Sequence, residues 1–169
     1  MGYWGYFVVG RGQRPLGECE ALAGAAERLT RREQKTADGW QLWEYPNGDG
    51  DVGSMNVLAR ETGAPALFGY VMDSACVIIE AAAPESGAWT ACLGRAAMAR
   101  YIGAGQEGLT LEDYFLEPRD AAGRAVAWAA EGGLTVAAEP LLGLLTADPD
   151  PVAENLLFRF LDRLGVVPL

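Results

Sequence analysis

Histidine is missing altogether from this chain of 169 residues. That removes the commonest general base and the commonest metal ligand. Ser-His-Asp triads, Cys-His pairs and HExxH zinc sites are excluded with it. Lysine occurs once, as Lys35, and the 13 basic residues face 23 acidic ones, a net charge of −10. Nucleic acid and anionic membranes need a clustered positive face, so neither is expected as a partner. Cys19, Cys76 and Cys92 cannot all pair, and no zinc-knuckle or CxxC spacing links them. Each sits in an apolar stretch, which predicts three buried thiols in a reducing cytosol. There is no apolar run of membrane-spanning length and no charged leader before an apolar segment, which together predict a cytoplasmic protein. Phosphate loops are missing too: Gly10-Arg11-Gly12-Gln13-Arg14 holds a GxG without the third glycine. No cofactor and no metal are expected.

Half of the residues are hydrophobic, enough for a core without disulfides or metal. The charge is unevenly spread. Residues 1–102 carry 12 acids and 9 bases, residues 103–169 carry 11 acids and 4 bases, so the last part holds −7 of the −10. The Ala- and Arg-rich, Lys-poor composition has the look of a GC-rich genome.

Tyr3–Val9 is aromatic and β-branched and predicts a strand, central in its sheet because both faces are apolar. Leu16, Cys19, Leu22, Ala23, Ala26 and Leu29 predict a helix from Pro15 to about Leu29, with Arg28, Arg31, Arg32 and Lys35 at its C-terminal side. Gly39–Tyr45 reads as a second strand stopped by Pro46. Val52–Glu61 reads as a short helix capped by Ser54 and ended by Gly63. Ala66–Met72 and Ala75–Ala82 form a hairpin around Asp73-Ser74, whose side chains are expected to bond their own turn backbone. Small residues from Ser86 to Ile102 predict a helix lying close on the sheet. Beyond Leu109 come three helices: one opened by Glu117-Pro118 and ended at Gly132-Gly133, one from Leu134 to Thr146, and one capped by Asp150-Pro151 and ended by Gly165. The expected fold is α+β: a mixed sheet of about four strands with packed helices and a C-terminal helical subdomain, residues 1–105 and 106–169, forming one cooperative domain.

Several residues invite a chemical reading. Asn47-Gly48-Asp49-Gly50-Asp51 starts like a calcium loop, but the sixth and twelfth positions are Val52 and Leu58 where such a loop needs Gly and Glu. Tyr3, Trp4, Tyr6, Trp40, Trp43 and Tyr45 supply rings on two strands. Alternation sends Trp40 one way and Trp43 and Tyr45 the other, so the solvent-facing set would be a binding surface. Glu44 and Glu80 are acids within apolar strands, suited to acid–base work if buried. Cys76 and Cys92 lack a histidine to activate them. Trp40, Trp43, Tyr45, Glu44 and Glu80 are therefore the candidate binding residues.

The opening Met1-Gly2-Tyr3-Trp4-Gly5-Tyr6-Phe7-Val8-Val9, the Val71-Met72-Asp73-Ser74 turn and Ala147-Asp148-Pro149-Asp150-Pro151 together resemble an uncharacterised family of small acidic actinobacterial proteins. In general character the chain is similar to immunity proteins of polymorphic toxin systems. The expected function is non-enzymatic: a cytosolic binding protein with an acidic surface for a basic protein partner, with a homodimer through an apolar face or the Ala/Gly helix as a further arrangement. The alternative is a small-molecule binder or carboxylate-dependent enzyme with an aromatic-lined pocket.

Overall fold

A computed structural model describes residues 2–46, 50–105 and 108–169. Its centre is β1 (Gly5–Arg11), which pairs antiparallel on one side with β3 (Trp40–Tyr45) and on the other with β4 (Ala66–Met72). A two-residue strand, β2 (Thr30–Arg31), flanks β3. Beyond β4 come β5 (Cys76–Ala83) and β6 (Gly87–Leu93). The order is β2-β3-β1-β4-β5-β6, and every pairing is antiparallel. The sheet thus has six strands where about four were expected, and it is not mixed. β1 is interior, as its two apolar faces foretold.

The two extra strands have distinct origins. β6 lies inside the segment expected to be a helix. Trp89, Ala91 and Leu93 alternate into one face of the sheet and Cys92 faces the other. A run rich in alanine favours helix locally, but the period-2 burial against β5 overrides it. Gly94, at φ 72°, ends the strand, and only then does α2 (Arg95–Gly105) begin. β2 is too short to leave a periodic signal.

The segment expected to be a helix from Pro15 is instead two 3-10 turns, Leu16–Glu18 and Glu20–Ala25. The buried residues are Leu16, Cys19, Leu22 and Ala25, while Ala23 and Ala26 are exposed. A strict three-residue step matches the three residues per turn of a 3-10 helix. Gly17 fits against the Trp43 ring, where a Cβ would lie 2.9 Å from it. The short helix appears as expected: α1 (Met55–Thr62) has Ser54 Oγ accepting from the Val57 N–H, and Gly63 at φ 70° as its left-handed stop.

The last helices are α3 (Pro118–Glu131), α4 (Ala138–Thr146) and α5 (Ala153–Arg163). Proline opens α3 as read. The cap of α5 is Val152, with no side-chain bond, rather than Asp150. All three helices bury their apolar sides on one face of the sheet, against Phe7, Val9, Trp40, Leu42, Leu67, Val71, Ile79 and Trp89. The other face carries the 3-10 turns and α1 over Tyr6, Val8, Tyr45 and Phe68, and α2 over Cys76 and Cys92. With a core on each side, the central strands have no solvent face.

The β6 edge is covered, and on the far side β2 and the segment after it cover β3. On β6 the Thr90 carbonyl accepts from the Leu116 N–H at 3.0 Å, and the Arg124 guanidinium reaches the Ser86 and Ala88 carbonyls at 2.8 and 3.2 Å. On the far side the Arg32 N–H extends the β2 pairing to the Leu42 carbonyl, and Thr36 Oγ1 donates to the Trp40 carbonyl. Such covers stop an edge from recruiting another strand.

Candidate functional site

Sheet alternation decides what the expected site residues can do. Trp40 is buried under α3, its ring 5.4 Å from that of Trp128. Glu44 shares that face. Its carboxylate accepts from the Tyr3 hydroxyl and from Arg32, both at 2.5 Å, and its side chain is 17% exposed. Burial, and then the Glu44 bond, push the Tyr3 hydroxyl pKa well above its ordinary value. Arg32 also lies over the Phe7 ring at 5.9 Å.

Trp43, Tyr45 and Glu80 are on the opposite face. Tyr45 is buried and Trp43 half-buried, its indole N–H donating to Gln41 Oε1. Glu80 accepts from the Met55 N–H at 3.1 Å, placing a carboxylate at the start of α1. The five residues therefore form no single site, and Glu44 and Glu80 stand on opposite faces of the sheet. The calcium-like loop lies largely outside the described residues; Asp51 is described, and it accepts from the Gly53 N–H at 2.8 Å. Among the described residues no group of three or more Cys, Asp or Glu side chains is placed to hold a metal ion.

The cysteines are free and buried. Burial pushes both Cys76 and Cys92 up to about 11, and Cys19 upward as well. Thiolate chemistry needs the opposite shift.

What the fold does assemble is a row of rings across the second face. Tyr45 meets Tyr6 edge-on at 6.0 Å, Tyr6 stacks on Tyr70 at 4.3 Å, Tyr70 meets Trp4 at 6.2 Å, and Trp4 meets Tyr101 edge-on at 6.4 Å. The row rises from a buried end to an open one: Tyr6 is 8% exposed, Trp4 39% and Tyr101 38%. Burial, then Asp51, Tyr70, Tyr45 and Glu80, push the Tyr6 hydroxyl up to about 12. Strand alternation puts Tyr6, Tyr70 and Tyr45 on one face; Tyr101 arrives from α2, which no strand pattern could have revealed.

The open end is fastened by the β4–β5 turn. Asp73 and Ser74 both have positive φ, 53° and 52°, as a tight hairpin turn of this hand requires. Their side chains do not bond their own turn. Asp73 Oδ1 accepts from the Gly2 N–H at 2.7 Å, and Ser74 Oγ accepts from the Tyr3 N–H at 2.8 Å while donating to Glu154 at 2.9 Å. The Ser74 carbonyl takes the Ala153 N–H at the start of α5. One turn thus holds the backbone beside Trp4 and the entry to α5. Next to it a shallow cleft of about 340 Å³ is lined by Asp73, Ala75, Ala97, Arg100, Tyr101 and Ala104. Comparison with protein-family models, curated proteins and solved structures finds no match to this chain.

Proposed function

We propose that this chain is a non-catalytic binding protein whose partner is a basic protein, met through its acidic surface. One observation carries the reading: how the carboxylates are used. Glu44, Glu80, Glu131 and Glu154 are spent on hydrogen bonds within the fold. Glu117, Asp120, Glu139, Asp148 and Asp150 are exposed, and their side chains make no hydrogen bond or ion pair among the described residues. Acids suited to chemistry are committed to structure, and acids suited to steering are left in water. Unpaired surface charge of one sign speeds encounter with an oppositely charged partner. Inhibition of a basic toxin, the role of the immunity proteins that the chain resembles in general character, is one form this function takes.

The test is a capture experiment from the native host with the tagged chain, at low and at high salt, with the retained proteins identified by mass spectrometry. A basic protein held at low salt and released by high salt is the expected result. Retention of no protein at low salt, or of one that salt does not weaken, overturns the reading.

A further inference from the structure

We propose that the open end of the aromatic row is the seat for an arginine side chain of the partner, with its guanidinium over Trp4 and Tyr101 and Asp73 beside it. This rests on the basic-partner reading and gives it a place. Three features converge there. Trp4 and Tyr101 are the exposed members of the row and meet edge-on at 6.4 Å. An electron-rich ring face attracts a cation, tryptophan most strongly, and a guanidinium stacks on it better than an ammonium does.

A carboxylate stands at the same end. Asp73 lines the cleft with Tyr101, and its charge helps raise the Tyr101 hydroxyl pKa, after burial. The bond from Ala153 N–H to the Ser74 carbonyl brings the α5 entry to this turn, and the exposed Asp150 lies just before that entry. The third feature is anchorage: the turn bonds at Gly2 and Tyr3 hold the backbone that leads into Trp4. A fixed anchor loses less entropy on binding. Arg100 is the one base lining the cleft, and its charge opposes the incoming guanidinium.

The experiment titrates the full chain by calorimetry with three short synthetic peptides, Gly–Arg, Gly–Lys and Gly–Glu repeats, at low and high salt. The proposal expects the Arg peptide to bind best and the Glu peptide not at all. Trp4→Ala and Tyr101→Ala should each weaken the Arg peptide about three- to tenfold. Arg100→Gln should tighten it, a gain that a merely disrupted surface would not give. Tyr114→Ala, at an exposed ring elsewhere, should leave binding unchanged. If the Arg peptide binds but ignores Trp4→Ala, Tyr101→Ala and Arg100→Gln, the seat is overturned and the basic-partner reading stands. If neither basic peptide binds at low salt, both fall.

Discussion

Among the described residues Gln41 is the polar side chain that is buried, and its amide is fully used. Its oxygen accepts from the Leu16 N–H and the Trp43 indole, each at 2.9 Å, and its nitrogen donates to the carbonyls of Gly12 and Arg14 at 3.0 and 2.8 Å. A primary amide offers two donors and two acceptor positions, and all four are matched. Gln41→Leu should cost about 2 kcal/mol or more in urea unfolding, because it strands the buried Leu16 N–H and the indole together. Gln41→Glu keeps the acceptor, and only its protonated form retains a donor. Burial favours its neutral form in the folded state, so its stability should fall as pH rises from acid to neutral. A second prediction concerns the thiols. With folded values of about 11, Cys76 and Cys92 should resist alkylation in native protein at mildly alkaline pH and react at once in denaturant. Since these folded values are raised, the contribution is whole below the unfolded value of 9.0 and is lost as pH climbs toward 11. Fast native alkylation at either position would contradict this.

Helix α5 seats on the sheet where β4 carries no side chain. At Gly69 an added Cβ would stand 2.7 Å from both methyl carbons of Leu157. Gly69→Ala should therefore destabilise by roughly 1–3 kcal/mol through overpacking, and the double variant Gly69→Ala, Leu157→Ala should lose less than the sum of the two single losses. Elements with a strong local rule were legible in the sequence: β1 from its β-branched and aromatic run, α1 from Ser54 and Gly63, the hairpin from Asp73-Ser74, α3 from its proline. The failures have physical causes. Gly87–Leu93 is alanine-rich, so propensity pointed to helix while the neighbouring strand imposed pairing. Leu16, Cys19, Leu22, Ala23, Ala26 and Leu29 fit three- and four-residue helical steps, whereas burial follows Leu16, Cys19, Leu22 and Ala25, a step of three that one or two turns barely distinguish. For the site, strand alternation separated Trp40 from Trp43 and Tyr45. The row that reaches solvent depends on Trp4 meeting Tyr101, a contact between distant segments that no local pattern encodes. The tertiary duties of Glu44 and Glu80 were hidden for the same reason.

Across the whole molecule, loops are tied down by carboxylates. The Glu61 side chain accepts from the Glu20 and Ala21 N–H groups at 2.9 Å each, and these bonds hold its pKa below the usual value. Burial alone would raise Glu131, yet the Ser86 hydroxyl and the Glu85 and Ser86 N–H groups together hold it low. Depressed folded values mean that this stability is present above the ordinary carboxylate value and lost as pH falls through the folded one. Unfolding free energy measured against pH should decline in that acid window, and Glu131→Gln should flatten the decline; an unchanged slope would refute the assignment. The place of β1 has a consequence for biogenesis. Its edges are closed by Tyr45 on one side and Tyr70 on the other, both delivered by the ribosome well after Tyr6. Until then a strongly β-prone strand waits without partners, and the helix that shields Phe7, through Phe158, emerges later still. Nascent chains arrested before Ala66 should be the aggregation-prone ones, held by chaperones, whereas those released beyond Arg163 should not.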